Sequence, residues 1–335
     1  MRILLAGIGK NIQKSLGAIQ DTFSSLASKF ECAAVFYENN SSDNSAELLQ
    51  EWKKQDSRIH VTSETIPFQE SLNRCKARTW DNQPCRMELL AEARNKLLDR
   101  IMTPAFEGYD LVLMFDLDIV RPLPLSETAD AIRTFPSDAA GVFSFGVNTA
   151  GKMYDLYTYR DVPFPFGPEI IGEHFFSNKH EKKLYRHTDG LKRHEFYPVY
   201  CAFNGAALYR REYLQGCRYS AYPNQDLDNL YRKIASDMGK EPSNWFTGQT
   251  HINSVLQGAY LFGEDGFFYQ NNAGYDYPII IEHAALHATL IKKGKLYLRP
   301  PWVHQSQNHD GYLFWHERLM RILSTAKRKQ DENLV

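Results

Sequence analysis

Apolar runs of strand length alternate along this chain with stretches whose apolar residues recur every three or four positions, and that alternation predicts an α/β fold. Residues 2–6 read as a first strand, 7–11 as a loop, and Leu16, Ile19, Phe23, Leu26 and Ala27 as the inner face of a helix over 15–30. A second strand follows at 32–37, then a helix at 46–55 for which Ser45 or Asp43 offers a cap. Residues 59–62 make a third short strand, after which the chain reads as loop to about Pro84. Within 86–102, Met87, Leu90, Ala91, Leu97, Leu98 and Ile101 form one apolar stripe. Arg94 falls inside it, so its guanidinium must find an anion or reach outward; an ordinary surface pairing with Glu92 is the plainer alternative. A buried strand at 110–115, a helix at 125–135 and another strand at 139–145 complete the regular part of the pattern.

The strand at 110–115 stops at Asp116-Leu117-Asp118, and Pro122 and Pro124 follow in an exposed loop. In open α/β sheets ligands bind at the carboxyl ends of strands. Two acids one residue apart repel each other there unless a cation sits between them, so the pair reads as half of a divalent-metal site. The plain alternative is that Asp suits turns. Glu38-Asn-Asn-Ser-Ser-Asp43-Asn-Ser45 gathers acceptors at the same edge, able to meet a ribose diol or a base edge, although most residues of such a loop simply make turns. Gly7-x-Gly9 lacks the third glycine of a dinucleotide fingerprint, Ile12 standing in its place.

Beyond residue 145 the pattern loosens. Residues 146–200 are dense in aromatics, among them Tyr154, Tyr157, Tyr159, Phe164, Phe166, Phe175 and Phe176, which suit the apolar faces of sugar rings. The same stretch holds Lys179, Lys182, Lys183, Arg186, Lys192 and Arg193, readable as a contact for an anionic glycan or phospholipid-linked acceptor, or as a solvated loop. Residues 199–211 look like a small-residue turn, with Gly205 where a backbone must approach a bound sugar closely. Asp226-Leu-Asp228 precedes no buried strand and reads as capping and surface charge before a helix at 229–238. An apolar run ends at Glu282-His283, a helix at 284–292 sets His283 and His287 on one face, a strand at 295–299 leads to Pro300 through His304, and a helix at 312–326 closes the chain.

Composition narrows the class. With 335 residues, 43% hydrophobic and 13% aromatic, the chain can bury a large core. A formal net charge of −1 argues against nucleic acid as the main partner. Five cysteines without a CxxC spacing fit reduced thiols in a cytoplasmic protein, and the opening apolar run is too short for a leader or a transmembrane segment.

Taken in order, the E-N-x-S-x-D-x-S loop from Glu38, the Ala93-Arg94-Asn95 helix, the D-x-D at Asp116 and the Glu282-His283 pair resemble GT-A fold glycosyltransferases, and among them the capsule-associated, CAP59-like α-mannosyltransferases. The resemblance implies a Rossmann-like, mixed but mainly parallel sheet flanked by helices, with an aromatic-rich insertion on the acceptor side. It implies one continuous domain in which residues 1–145 bind a GDP- or UDP-sugar donor and residues 146–335 bind an oligosaccharide or glycan acceptor. By the same resemblance Glu38 and Asp43 hold the nucleoside, Arg94 faces the donor phosphates, and Gly205 belongs to the glycine loop. Asp116, Asp118 and a late histidine hold Mn2+ or Mg2+; His304 is in the expected place, with His287 and His283 as fallbacks. Glu282 is favoured over Asp265 of Gly263-Glu264-Asp265 as the catalytic acid, a general base in an inverting reaction or an orienting group in a retaining one. The chain departs from the family pattern in having His283 where an Asp is expected and in its long middle segment. Two other readings compete: Asp116 as the phosphorylated nucleophile of a haloacid-dehalogenase-like phosphatase, a family that normally begins with this strand, and a nucleotide-sugar-binding module without turnover.

Overall fold

Side chains of consecutive residues in the first strands face opposite ways, and both sets are apolar, so the sheet must be covered on both faces. The computed structural model describes residues 1–79, 81–171, 175, 177–239 and 279–305, with the backbone of 259–262 and 267–270. Its strands are β1 (Arg2–Gly9), β2 (Glu31–Asn39), β3 (Ile59–Glu64), β4 (Leu111–Phe115), β5 (Ala139–Val147), β6 (Tyr197–Pro198), β7 (Ala206–Arg210), β8 (Ala259–Phe262), β9 (Phe267–Gln270) and β10 (Lys295–Gln305). Its helices, besides short 3-10 turns, are α1 (Leu16–Ala27), α2 (Ser45–Gln55), α3 (Phe68–Arg74), α4 (Arg86–Ile101), α5 (Leu125–Arg133), α6 (Pro168–Ile171), α7 (Asn178–Gly190), α8 (Gln225–Asp237) and α9 (Glu282–Ile291).

Eight strands form one sheet in the order β3-β2-β1-β4-β7-β5-β10-β6, and β8 and β9 pair separately. The β1, β2, β3 and β4 ladders are parallel, as is β5 with β10; β7 lies antiparallel between β4 and β5, and β6 antiparallel on β10. On one face Leu4, Ala6, Val35, Val112 and Met114 meet Leu97, Leu98 and Ile101 of α4 and Leu286 and Leu290 of α9. On the other, Ile3, Leu5, Phe36, Leu113 and Phe115 meet Ile19, Phe23 and Leu26 of α1, Leu49 and Trp52 of α2 and Ile132 of α5. The expected fold, a mixed and mainly parallel sheet flanked by helices, is the one observed.

Several expectations change. Residues 7–9 belong to β1 instead of a loop. A Cβ on Gly7 would lie 2.5 Å from Leu117 Cδ2 and 2.6 Å from the Phe115 carbonyl oxygen, so the glycine lets the D-L-D turn seat Leu117 directly on the first strand. Helix α3 occupies part of the expected loop; its leading Phe68 is 55% exposed, so no apolar stripe marked it. Helix α7 likewise replaces a solvated loop, because only Leu184 and Thr188 of it are buried. The expected small-residue turn holds β7, and its alanines are the narrow residues a strand enclosed on all sides accommodates. The second helix is not capped by a side chain of its N-cap residue Asn44; Asp43 Oδ1 instead accepts from the Ser45 amide at 3.0 Å. Asn224 caps α8 by accepting from the Leu227 amide at 2.9 Å, and Asp228 pairs with Arg232, as capping and surface charge would have it. The last described strand continues past a register shift between Arg299 and Val303, so His304 lies inside β10 and not after it. Phe176, Asp265 and the helix expected at 312–326 lie outside the described residues. The five cysteines are free and buried, and no helix among the described residues is long and apolar enough to cross a membrane.

Candidate active site

Strand β4 delivers its terminal acids to the sheet edge where β7 begins. Gly205, at φ +85° in the region that favours glycine, turns the chain into β7 and presents its carbonyl to the Asp116 amide at 3.0 Å. With Leu117 buried on β1, Asp116 and Asp118 stay partly exposed at the edge.

Arg94 lies beneath them. Helix α4 buries it, as its place in the apolar stripe required, and the anion it finds is double: Nε donates to Glu282 Oε1 at 3.1 Å and Nη2 approaches Asp116 Oδ1 at 3.5 Å. Glu92 is not its partner, being paired with Arg74 and Lys96. The guanidinium also sits 4.9 Å over the Phe203 ring and 5.7 Å over Tyr219. Glu282 opens α9 and is 2% exposed; its Oε2 and Arg94 Nη1 are buried without a hydrogen-bond partner among the described residues.

Negative charge is in excess here. Burial and then the neighbouring Asp118 push the Asp116 carboxyl up to about 7, with Arg94 pulling the other way and Asp155 and Glu282 adding to the rise. Burial pushes Asp155 up to about 6. Sequence reasoning missed Asp155: it stands alone in an aromatic segment, belongs to no motif, and accepts the Tyr157 and Thr158 amides at 3.0 and 3.2 Å in the manner of a turn residue.

A short strap before β7 ties these pieces together. The Cys201 carbonyl accepts the Arg160 amide at 2.8 Å, and the Phe203 amide donates to Thr158 Oγ1 at 3.1 Å. The Phe203 ring underlies Arg94 and stacks on His283 at 4.1 Å. Asn204 Oδ1 accepts the Asp155 amide at 3.1 Å, its carbonyl faces Ser144 Oγ at 3.3 Å, and Gly205 holds Asp116.

The three histidines separate by their surroundings. His304 is 5% exposed and its Nε2 lies 2.9 Å from Ser144 Oγ, while Nδ1 makes no well-aligned hydrogen bond among the described residues; burial pushes it down to about 4, with the Asn204 and Gln305 backbone pulling the other way. His287 has both nitrogens engaged, Nδ1 with Cys201 Sγ at 3.0 Å and Nε2 with the Tyr209 hydroxyl at 2.8 Å, which leaves it nothing to offer a metal. His283 is 2% exposed, stacked between Phe203 and His287, with neither ring nitrogen hydrogen-bonded among the described residues and Nε2 3.5 Å from Glu282 Oε1.

Glu38 and Asp43 stand on the loop after β2. Glu38 accepts the Ser41 amide at 2.9 Å and the Ser63 hydroxyl; Asp43 accepts the Ser45 amide and hydroxyl and, at 3.3 Å, the Gln13 amide. Their oxygens stitch this loop to itself, to β3 and to the β1–α1 connection. Thus the structure brings Arg94, Asp116, Glu282 and Gly205 into direct contact, with Asp118 and Asp155 within electrostatic reach. His304 joins through Ser144, and Glu38 and Asp43 are occupied two strands away.

A family model described as Cryptococcal mannosyltransferase 1 matches residues 4–239. No curated protein matches. Among solved structures, the chain is similar to TarS of S. aureus (14% identity, TM-score 0.34, covering 66% of this chain and 30% of that one). It is also similar to the mannosyltransferase PcManGT from Pyrobaculum calidifontis in complex with GDP-Man and Mn2+ (13% identity, TM-score 0.36, covering 70% and 52%). A third likeness is to glucosyl-3-phosphoglycerate synthase from Mycobacterium tuberculosis in complex with Mn2+, UDP and phosphoglyceric acid (16% identity, TM-score 0.35, covering 71% and 65%). The match thus spans between 30% and 65% of those three chains.

Proposed function

Because the chain belongs to the cryptococcal mannosyltransferase 1 family, and so to the glycosyltransferases, we propose that it moves a sugar from a GDP- or UDP-linked donor to a hydroxyl of an oligosaccharide or glycan acceptor, with Mn2+ or Mg2+ at the end of β4. Residues 1–145 then carry the donor and 146–335 the acceptor, within one continuous domain. The observation that supports this reading is the gathering of acids at the end of β4: Arg94 contacts both Asp116 and Glu282, and burial first, then Asp118, with Asp155 and Glu282 adding, lift the Asp116 carboxyl to about 7 against that one guanidinium.

Among the described residues no three His, Cys, Asp or Glu side chains converge closely enough to hold an ion alone. That suits a cation carried by one or two carboxylates and completed by substrate phosphates, as Mg2+ and Mn2+ often are. Asp118 and Asp116 would hold it; His304, whose Nδ1 makes no side-chain hydrogen bond, would have to move toward them to act as an imidazole donor. When bound, such a cation neutralises charge gathering on the departing diphosphate.

The chain's own groups do the rest. Arg94 keeps Asp116 and Glu282 in place and has Nη1 left for a donor phosphate oxygen, a division of labour the resemblance alone did not imply. Glu282, with Oε2 unused, takes the acceptor hydroxyl proton if configuration inverts and orients the acceptor or donor if it is retained. Glu38 and Asp43 act on the nucleoside through the loop they brace. The phosphatase alternative fails on family membership, and Asp116 is here the partner of an arginine in the middle of a sheet.

The test is Asp118→Ala. Metal-dependent turnover of the donor should be lost, together with thermal stabilisation by a nucleoside diphosphate plus Mn2+. Full turnover in that variant refutes the scheme.

A further inference from the structure

We propose that Ser144 is a positioning residue: it fixes the neutral His304 imidazole in the tautomer that carries its proton on Nε2 and a bare lone pair on Nδ1. Ser144 Oγ has one proton and three close partners, the Ala206 carbonyl at 2.9 Å, the Asn204 carbonyl at 3.3 Å and His304 Nε2 at 2.9 Å. Carbonyl oxygens only accept. If the hydroxyl gave its proton to the imidazole, both carbonyls would face an oxygen lone pair in a site where Ser144 is 0% exposed, the arrangement that buried polar groups avoid. The proton therefore goes to a carbonyl, the Ala206 oxygen being nearer, and the hydroxyl accepts from Nε2–H.

Nδ1 is then the nitrogen with the lone pair, and it is among the buried atoms that make no well-aligned hydrogen bond within the described residues. Metal-binding histidines characteristically donate their other N–H to a protein acceptor that fixes tautomer and ring orientation. Ser144 plays that part here through a hydroxyl polarised by two backbone carbonyls. Those carbonyls flank Gly205, one at the end of the strap and one opening β7, and Gly205 holds Asp116, so one stretch of backbone sets both the imidazole and the acid. The assignment of the proton depends on the geometry alone; its use in holding a cation rests on the function proposed above.

Long-range 1H–15N correlation spectra of metal-free protein labelled at histidine test the two separately. In the wild type His304 should show an imine-type Nδ1 and a pyrrole-type Nε2. Ser144→Ala should shift it to a mixture of tautomers and weaken Mn2+ binding, measured calorimetrically with a nucleoside diphosphate present, by about 10- to 100-fold. Ser144→Thr, which keeps the hydroxyl on a strand-compatible side chain, should restore both. A wild-type proton on Nδ1, or a Ser144→Ala spectrum unchanged from the wild type, overturns the inference. A hydroxyl-dependent Nε2–H tautomer in a protein that binds no Mn2+ upholds it and overturns the metal reading instead.

Discussion

Arg94 is one cation answering two carboxylates, and removing it strands both. Breaking a buried pair by deleting one member leaves an uncompensated charge and costs about 3–5 kcal/mol. Arg94→Met should therefore destabilise the protein by roughly that amount in urea unfolding, and Arg94→Met with Glu282→Gln should recover more than half of it. An Arg94→Met variant as stable as wild type would mean that the ion pair is not formed in solution. At this scale the sequence was partly readable. An arginine in an apolar stripe and two acids at a strand end are anomalies that one line of letters displays. Asp155 and Ser144 are not anomalies there: a single acid among tyrosines and a serine in a buried strand gain meaning only from Asn204 and His304, 49 and 160 positions away.

The elements followed the same rule. Those with a strong period were found within a few residues, whereas α3, α7 and β7 were missed because they bury few side chains or, in β7, because alanines carry little β preference. The Gly7-x-Gly9 pair was read correctly as no dinucleotide fingerprint; its purpose, the seat for Leu117, needed the tertiary structure. Gly7→Ala should cost about 1–3 kcal/mol by overpacking and, since Leu117 lies between the two acids, should lower Mn2+ affinity as well. Gly17→Ala is the control: its new methyl meets nothing within 4 Å in the first turn of α1, and by restricting the unfolded chain it should stabilise by about 0.4–1 kcal/mol with Mn2+ affinity unchanged. Thermal unfolding and calorimetry on the two variants decide the matter.

For the molecule as a whole, the half-buried Asp116 and Asp155 and the buried His287 and His304 set opposing slopes of stability against pH. Asp116 titrates near 7 in the fold against a usual value of 3.8, and Asp155 near 6, so their contribution is complete at low pH and lost as pH rises through those values. The imidazoles run the other way: His304 near 4 and His287 near 3 lose their contribution as pH falls below the usual 6.5. Near 6.5 the buried imidazoles, His283 included, offset the acids, so the Asp116 share is read as the stability of metal-free wild type minus that of Asp116→Asn, a difference that should fall as pH is raised from about 4 through about 7. Mn2+ with a nucleoside diphosphate should flatten the fall in that difference; melting curves of the two proteins across this range check it, and a difference that does not change with pH would mean that Asp116 is not raised.

The reversed strand β7 has a consequence for synthesis. Strands β4 and β5 are neighbours only through it, so when residues 1–147 have left the ribosome the nascent chain presents two unsealed flanks with the cleft between them open. That cleft is sealed only when residue 210 has emerged, and the site waits longer, for Glu282 and for β10 on the far edge of β5, so a chaperone able to shield bare strand edges has a reason to linger.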